Sequence, residues 1–247
     1  MRPFLKWAGG KSQLLKAFDA RLPQPMKTSK RIPRYLEPFL GGGAMFFYLK
    51  TYYTIDQAYL YDINPDLILC YKVIQQNHRE LTELLAKITQ EFSGKTKEEQ
   101  KAFYYQIRTR YNQQRKDLDE QVYNALWIER AAFLIFLNKT CYNGLFRLNQ
   151  QGEFNVPFGS YRKHCFYDAE NLKEIHHALR HTKLICGDFT EAAQFVTEGS
   201  FVYLDPPYRP LNSTSGFTAY SRYGFSDQDQ KRLAAYYKKM DRKGAYL

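Results

Sequence analysis

The residues with the clearest chemical potential are Asp205, Pro206, Pro207 and Tyr208. They follow an apolar run at 201–204 (FVYL), so the carboxylate falls at the C-terminal end of a buried strand, where open α/β sheets bind ligands. An exocyclic amino nitrogen such as that of adenine is a poor nucleophile, because its lone pair is conjugated into the ring. Two acceptors can hold its two hydrogens, draw the nitrogen toward tetrahedral geometry and free the lone pair for an in-line methyl group. The Asp205 carboxylate and the Pro206 carbonyl are suitable acceptors, and consecutive prolines restrict φ and fix that carbonyl's direction. Tyr208 offers a face on which a base can stack. A proline-rich turn with a packed tyrosine accounts for the same four residues, and taken alone neither reading wins.

A second constellation lies upstream. Gly41, Gly42 and Gly43 follow a strand-like run at 34–39 (RYLEPF), and a further run at 58–62 (AYLYD) ends on Asp62. Strand, glycine turn, helix, strand and acid is the order of a nucleotide-binding βαβ half, in which the acid accepts from ribose hydroxyls. Neither GxGxxG nor GxxxxGK[ST] is present. A phosphate-free adenosine cofactor, S-adenosylmethionine, therefore suits the loop better than a dinucleotide or a nucleoside triphosphate. Phe39 enters this turn. Asp188, after the run 183–186 (KLIC), either reaches the cofactor's adenine or caps the next helix. Trp7 and Lys11, within WAGGK, can wall the cofactor and pair with its carboxylate, or simply anchor a turn. Tyr142, Asn143, Leu145 and Arg147 mix stacking, wedge and hydrogen-bonding groups: an Asn amide reads adenine, an Arg fork reads guanine, and a Tyr or Leu can replace an extracted base. An Asn-Gly turn flanked by core aromatics fits them as well.

The elements that must position these groups are legible in outline. A connector is expected over 22–33 and helical periodicity from 66 to about 139. In that stretch Asn77 with Glu80 suggests a capping box between two runs, and another helix is expected over 119–137. A loop or hairpin follows to about 161. The α/β pattern then resumes with a helix capped by Asp168, two short buried strands, and a helix opened by Ser226 and Asp229. Residues 245–247 resemble the start of a strand, so continuation beyond them is expected.

The formal charge of +11 favours a polyanionic partner. Basic residues crowd residues 1–36, with Asp19 the only acid there, and again 101–116, where a solvated helix face with inward aromatics is the plainer account. Cys70, Cys141, Cys165 and Cys186 form no CxxC pair, which indicates neither zinc nor a disulfide framework. His177 and His181 sit four apart but lack a third ligand. No run is apolar enough to span a membrane.

FLKWAGGK at 4–11, EPFLGGG at 37–43, YDIN at 61–64, YNGLFRLNQQGEFNVPFG at 142–159, and DPPY with FTAY at 217–220 stand in the order of an α-group amino-methyltransferase. Together they resemble the Dam family of DNA adenine-N6 methyltransferases, over essentially the whole chain. The resemblance implies cofactor contacts from Trp7, Lys11, Asp62 and Asp205, with Phe39 and Gly41 lining the pocket. It implies that Asp205, Pro206 and Tyr208 hold a flipped adenine and that Lys6 and Arg147 read guanines. Tyr142, Asn143 and Leu145 would enter the duplex, and GATC would be the target.

The expected fold is an α/β, Rossmann-like, S-adenosylmethionine-dependent methyltransferase core (residues 1–64 and 168–247, last strands missing). A helical DNA-recognition lobe is inserted at 65–167. The expected partner is double-stranded DNA, with no metal and no membrane, for a cytoplasmic monomer that either belongs to a restriction system or acts alone. The rivals are the same chemistry on RNA or a protein amide, and a non-enzymatic DNA-binding remnant.

Overall fold

A computed structural model describes residues 1–7, 9–11, 13–119, 122–159, 166–207 and 225–247. Its centre is a sheet of four parallel strands, β1 (Arg31–Glu37), β2 (Thr54–Asp62), β3 (Thr182–Cys186) and β4 (Phe201–Val202), in the order β3-β2-β1-β4. β1 starts earlier than its apolar run suggests, with Pro33 inside it. β4 pairs with β1 only at Tyr35 and Leu36, so the missing Pro33 N–H falls where that side needs no ladder bond. On its outer edge β4 is met by Tyr246, which donates to Ser200 O at 2.8 Å and accepts from Val202 N at 2.9 Å.

Strand side chains alternate between two cores. Ile32, Tyr35 and Leu60 join Phe46 and Phe47 of α3 (Ala44–Tyr52) on one face. Leu36, Tyr59, Tyr61 and Val202 meet Tyr236 and Met240 of the last helix on the other, beside a 3-10 segment Phe189–Phe195. The expected connector after Leu22 contains a short helix, Gln24–Ser29, with Pro25 in its first turn, where a missing N–H is harmless. It follows the helix Leu15–Arg21.

After β2 the chain enters a long helix, α4 (Pro65–Ser93), opened by the Asn64 side chain, which accepts from Asp66 N and Leu67 N, and by Pro65 at its first position. Asn77 interrupts it with φ −132° and ψ 43°. The expected capping box is instead a kink: Asn77 Nδ2 donates to Glu80 Oε1 at 3.0 Å, and Asn77 Oδ1 accepts from Tyr123 Oη at 2.7 Å. α5 (Lys97–Gln113) and α6 (Ala125–Thr140) follow. The expected start of α6 at Asp119 is corrected to an Asn124 cap. Asp119 O accepts from Trp127 Nε1 instead, and Asp119 Oδ1 from Val122 N. α6 is buried on nearly every side between α4 and α5, where Arg130 forms a 2.6 Å ion pair with Asp66. Antiparallel bridges Cys141–Phe158 and Leu148–Phe154 then shape the expected hairpin region.

α7 (Ala169–Leu179) begins on Asp168, whose side chain accepts from Asn171 N, and α8 (Asp227–Arg242) carries the expected Ser226–Asp229 box. Among the described residues no helix is long and apolar enough to cross a membrane, and no group of three His, Cys, Asp or Glu is arranged to hold a metal. Three arginines of the basic run over α5 and the 3-10 segment after it (Gln114–Lys116) bond to their own protein, while Lys101 and Lys116 are exposed. Arg108 donates to Val156 O, Arg110 pairs with Glu129, and Arg115 donates to Gly152 O, while Phe103, Tyr104 and Tyr111 are buried.

Candidate active site

Parallel strands deliver their C-terminal ends to one edge, and the chemistry-bearing residues gather there. The backbone leaves β1 through a tight turn in which Gly41 and Gly43 have φ of +49° and +69°, values that other L-residues rarely adopt. Asp62, the last residue of β2, holds this turn: its Oδ2 accepts from Gly41 N and its Oδ1 from Asn64 N, both at 2.9 Å. Burial pushes the Asp62 carboxyl upward in pKa, and the two backbone N–H groups pull the other way. Tyr71, from α4, donates its hydroxyl to Gly41 O at 3.1 Å. A Cβ on Gly43 would come within 2.6 Å of that hydroxyl. Tyr71 was not among the site residues read from sequence, because a tyrosine on the apolar stripe of a helix reads as core.

Asp205 is three residues past β4. Lys11 Nζ reaches both its oxygens, at 2.9 and 3.1 Å, and also donates to Gly9 O at 2.9 Å. The WAGGK turn and the DPPY strand are thus joined by a half-buried charge-assisted pair. Pro206 and Pro207 follow, while Tyr208 and the segment 217–220 lie outside the described residues. Behind the pair sits Glu37, 2% exposed at the end of the central strand. Burial pushes its carboxyl up to about 8. The Tyr35 hydroxyl, donating at 2.8 Å, opposes the shift, and the Asp205 charge adds to it. Sequence reading placed Glu37 within EPFLGGG but gave it no role. Its burial follows from β1 being flanked on both sides.

The other expected residues fall around the same rim. Phe39 stacks on Phe189 at 5.2 Å and meets Phe225 edge-on. A Cβ on Gly41 would touch Trp7 Cδ1 at 3.0 Å, so Trp7 covers the turn, and its ring also stacks on Phe146 at 5.3 Å and 27°. Asp188 caps the segment that follows it. Its carboxylate accepts from Thr190 N and from Arg232 Nη2 at 2.7 Å, which holds its pKa below the usual carboxylate range. Among the described residues His177 belongs to no group of three metal-ligating side chains, and it is His176 that stacks on His78 at 4.1 Å.

The Tyr142–Arg147 segment leaves α6 on a surface next to Trp7. Tyr142 is 56% exposed, Asn143 takes φ +55°, and Leu145 is half-buried. Arg147 is held by Asn155: its Nε donates to Asn155 Oδ1 at 2.7 Å and its Nη2 to Asn155 O at 3.4 Å. Exposed Lys6 lies alongside, its stem crossing Gly144. A cavity of 830 Å³ among α4, α5 and α6 is lined by none of these groups.

Comparison with known proteins converges on the same chemistry. The model of the D12 class N6 adenine-specific DNA methyltransferases matches residues 7–247. The type II methyltransferase M.MjaIII of Methanocaldococcus jannaschii is 47% identical over 247 residues, which cover 100% of this chain and 83% of that protein. The type II methyltransferase M1.LlaDCHI of Lactococcus lactis subsp. cremoris is 36% identical, with 100% and 80% covered. The DNA adenine methylase of Escherichia coli K12 is 34% identical, with 94% and 74% covered. A glycine turn clamped by Asp62, a lysine-paired Asp205 ahead of two prolines, and a match over nearly the whole length lead to one conclusion. The chain belongs to the D12 class N6 adenine-specific DNA methyltransferases, enzymes that take their methyl group from S-adenosylmethionine.

Proposed function

We propose that this methyltransferase acts on the adenine of GATC in duplex DNA, rotating the base out of the helix and methylating it directly, without a covalent enzyme intermediate. The observation that carries the reading is the Lys11–Asp205 pair at the C-terminal edge of the sheet, which sets an oriented hydrogen-bond acceptor on the same edge as the Gly41–Gly43 turn. The groups gathered at that edge suit S-adenosylmethionine. They comprise an acceptor for ribose hydroxyls (Asp62), aromatic walls (Phe39 and Trp7) and one ammonium (Lys11). Asp188, fixed by its cap and by Arg232, is assigned to the cofactor's adenine.

S-adenosylmethionine supplies an electrophilic methyl group when bound. The chain's part is to hold the acceptor nitrogen. The Asp205 carboxylate and the Pro206 carbonyl each take one hydrogen of the amino group, which turns its lone pair toward the methyl carbon. Pro207 stiffens the turn that aims them, and Tyr208 is assigned the stacking face. The amino nitrogen gains one bond to carbon as the methyl's bond to the donor's sulfonium sulfur breaks, the pair of electrons staying on a neutral thioether that leaves. It gives up one proton, which the Asp205 side receives and water carries away. A low-energy fit requires the base outside the stack, since duplex adenine presents its amino group only in the groove.

Residues 1–64 and 168–247 are assigned to catalysis, and 65–167 to target recognition. Within the second set Arg147 reads one guanine, Lys6 another from the first set, and Tyr142, Asn143 and Leu145 enter the duplex. One copy carries every group named, which supports action as a monomer.

The test is transfer of labelled methyl from S-adenosylmethionine to matched duplexes containing GATC or the scrambled GTAC. Label on adenine in GATC alone is the expected result. Equal labelling of both duplexes would refute the target, and label on RNA or a peptide amide in preference to DNA would refute the substrate class. Asp205→Ala is expected to lower turnover by about 100- to 1,000-fold.

A further inference from the structure

The two guanine-reading side chains come from opposite parts of the chain, so something must fix the distance between them. Asn138, in the last turn of α6, has 0% exposure and three hydrogen bonds, all to backbone. Its Oδ1 accepts from Lys6 N at 2.7 Å, and its Nδ2 donates to Lys6 O at 2.9 Å and to Gly144 O at 3.0 Å. Capturing both the N–H and the C=O of one residue does for Lys6 what a neighbouring strand would do. It fixes where the Lys6 Cα stands and which way its side chain leaves. The third bond ties that same amide to the turn carrying Asn143 and leading to Arg147.

Gly144 completes the arrangement from the other side. Its φ is +64°, and a Cβ there would overlap the Lys6 stem at Cδ. The lysine therefore lies against a bare Cα, and the turn and the N-terminal segment fit in one relative position. Neither contact adds charge toward DNA, so neither contributes to general affinity for phosphates.

We infer that Asn138 is a positioning residue for sequence selection: by clamping the Lys6 backbone to the Gly144 turn it sets the spacing of the Lys6 and Arg147 base contacts. The inference rests on the reading of Lys6 and Arg147 as guanine readers. A merely structural Asn138 would weaken binding to every duplex alike, whereas a spacer affects only the difference between target and non-target.

The test is a double-mutant cycle read by fluorescence anisotropy on full-length protein. It uses three duplexes: the GATC target, the same duplex with the Lys6-read guanine pair replaced, and an unrelated sequence. Asn138→Ala is expected to reduce discrimination at that guanine about tenfold, with binding to the unrelated duplex changed less than about twofold. In a Lys6→Ala background the added Asn138→Ala is expected to cost no further discrimination. Additive losses, or equal losses on all three duplexes, would overturn the inference. Lys6→Ala without any effect on discrimination would overturn the underlying reading and this inference with it. A normal Lys6→Ala effect beside a silent Asn138→Ala would overturn this inference alone. Should Asn138→Ala fail to fold, Gly144→Ala, which leaves Asn138 in place and displaces the lysine stem, is expected to give the same loss confined to that guanine. Unchanged discrimination there would equally overturn it.

Discussion

Glu37→Gln tests whether the acid behind the methyl-transfer site is neutral in the folded protein. Burial at the end of the central strand raises the Glu37 carboxyl from 4.5 to about 8. An unfolded chain would ionise this group near its ordinary value, so between those limits the folded state binds a proton that the unfolded state has lost. Stability therefore falls as pH rises through the window and levels off above about 8. The slope is about 1.4 kcal/mol per pH unit, and the whole span amounts to roughly 5 kcal/mol. An amide has nearly the shape of the neutral acid and no proton to lose, so Gln at this position removes the slope. It also replaces one acceptor by a donor, facing the Tyr35 hydroxyl, so the absolute level at a given pH is the less informative quantity. The assay is urea unfolding of both proteins at intervals from pH 6 to pH 9, subtracting one curve from the other to cancel every other titrating group. The expected difference moves in favour of Glu37→Gln by roughly 2–3 kcal/mol between pH 6 and pH 8, then stays flat. Parallel curves would refute the reasoning, because they would mean that Glu37 ionises alike in both states.

Gly43→Ala forces a Cβ against the Tyr71 hydroxyl at φ +69° and is expected to cost about 1–3 kcal/mol in urea unfolding; adding Tyr71→Phe should recover part of it, and no recovery would locate the strain elsewhere. Arg130→Met leaves Asp66 buried without its 2.6 Å partner, an expected loss of about 3–5 kcal/mol, and adding Asp66→Asn should restore much of it. Arg147→Ala should reduce discrimination at its guanine more than binding to unrelated DNA in anisotropy titrations, and uniform weakening would make it a phosphate contact.

The parts of the site legible in sequence are those set by local rules. Asp62 ends an apolar strand, Gly41 and Gly43 take conformations that exclude most residues, and Asp168 and Ser226 announce helix starts through caps. What was hidden depends on partners distant in the chain. Glu37 is buried because strands arrive on both sides of β1, one of them formed by residues near 201. Asn138 reads as one polar residue in an apolar helix until Lys6 is laid against it. Asn77 has the composition of a helix start, yet burial of apolar residues on both sides of it carries α4 through, and the mismatch survives as a kink. Asp119 lost the competition to cap α6 because Asn124 stands closer to the apolar stripe and Trp127 donates back to the Asp119 carbonyl. β1 reaches back into the expected connector because β4 pairs with it only at Tyr35 and Leu36, clear of Pro33.

The strand order has a temporal meaning. β1 and β2 are joined through α3 and can pair as soon as both have left the ribosome, because the crossover between them is short. β3 must find β2, Thr182 opposite Ala58, across the whole helical stretch, and β4 arrives later still beside β1. At roughly 5–20 residues per second, synthesis of that stretch leaves the β1–β2 pair with bare edges for on the order of ten seconds. During that interval the nascent chain exposes two unfilled strand flanks, and α4, already emerging, is the nearest apolar cover for one face. Translation speed through the helical stretch, rather than any single contact in the finished protein, therefore sets how long this enzyme is open to aggregation.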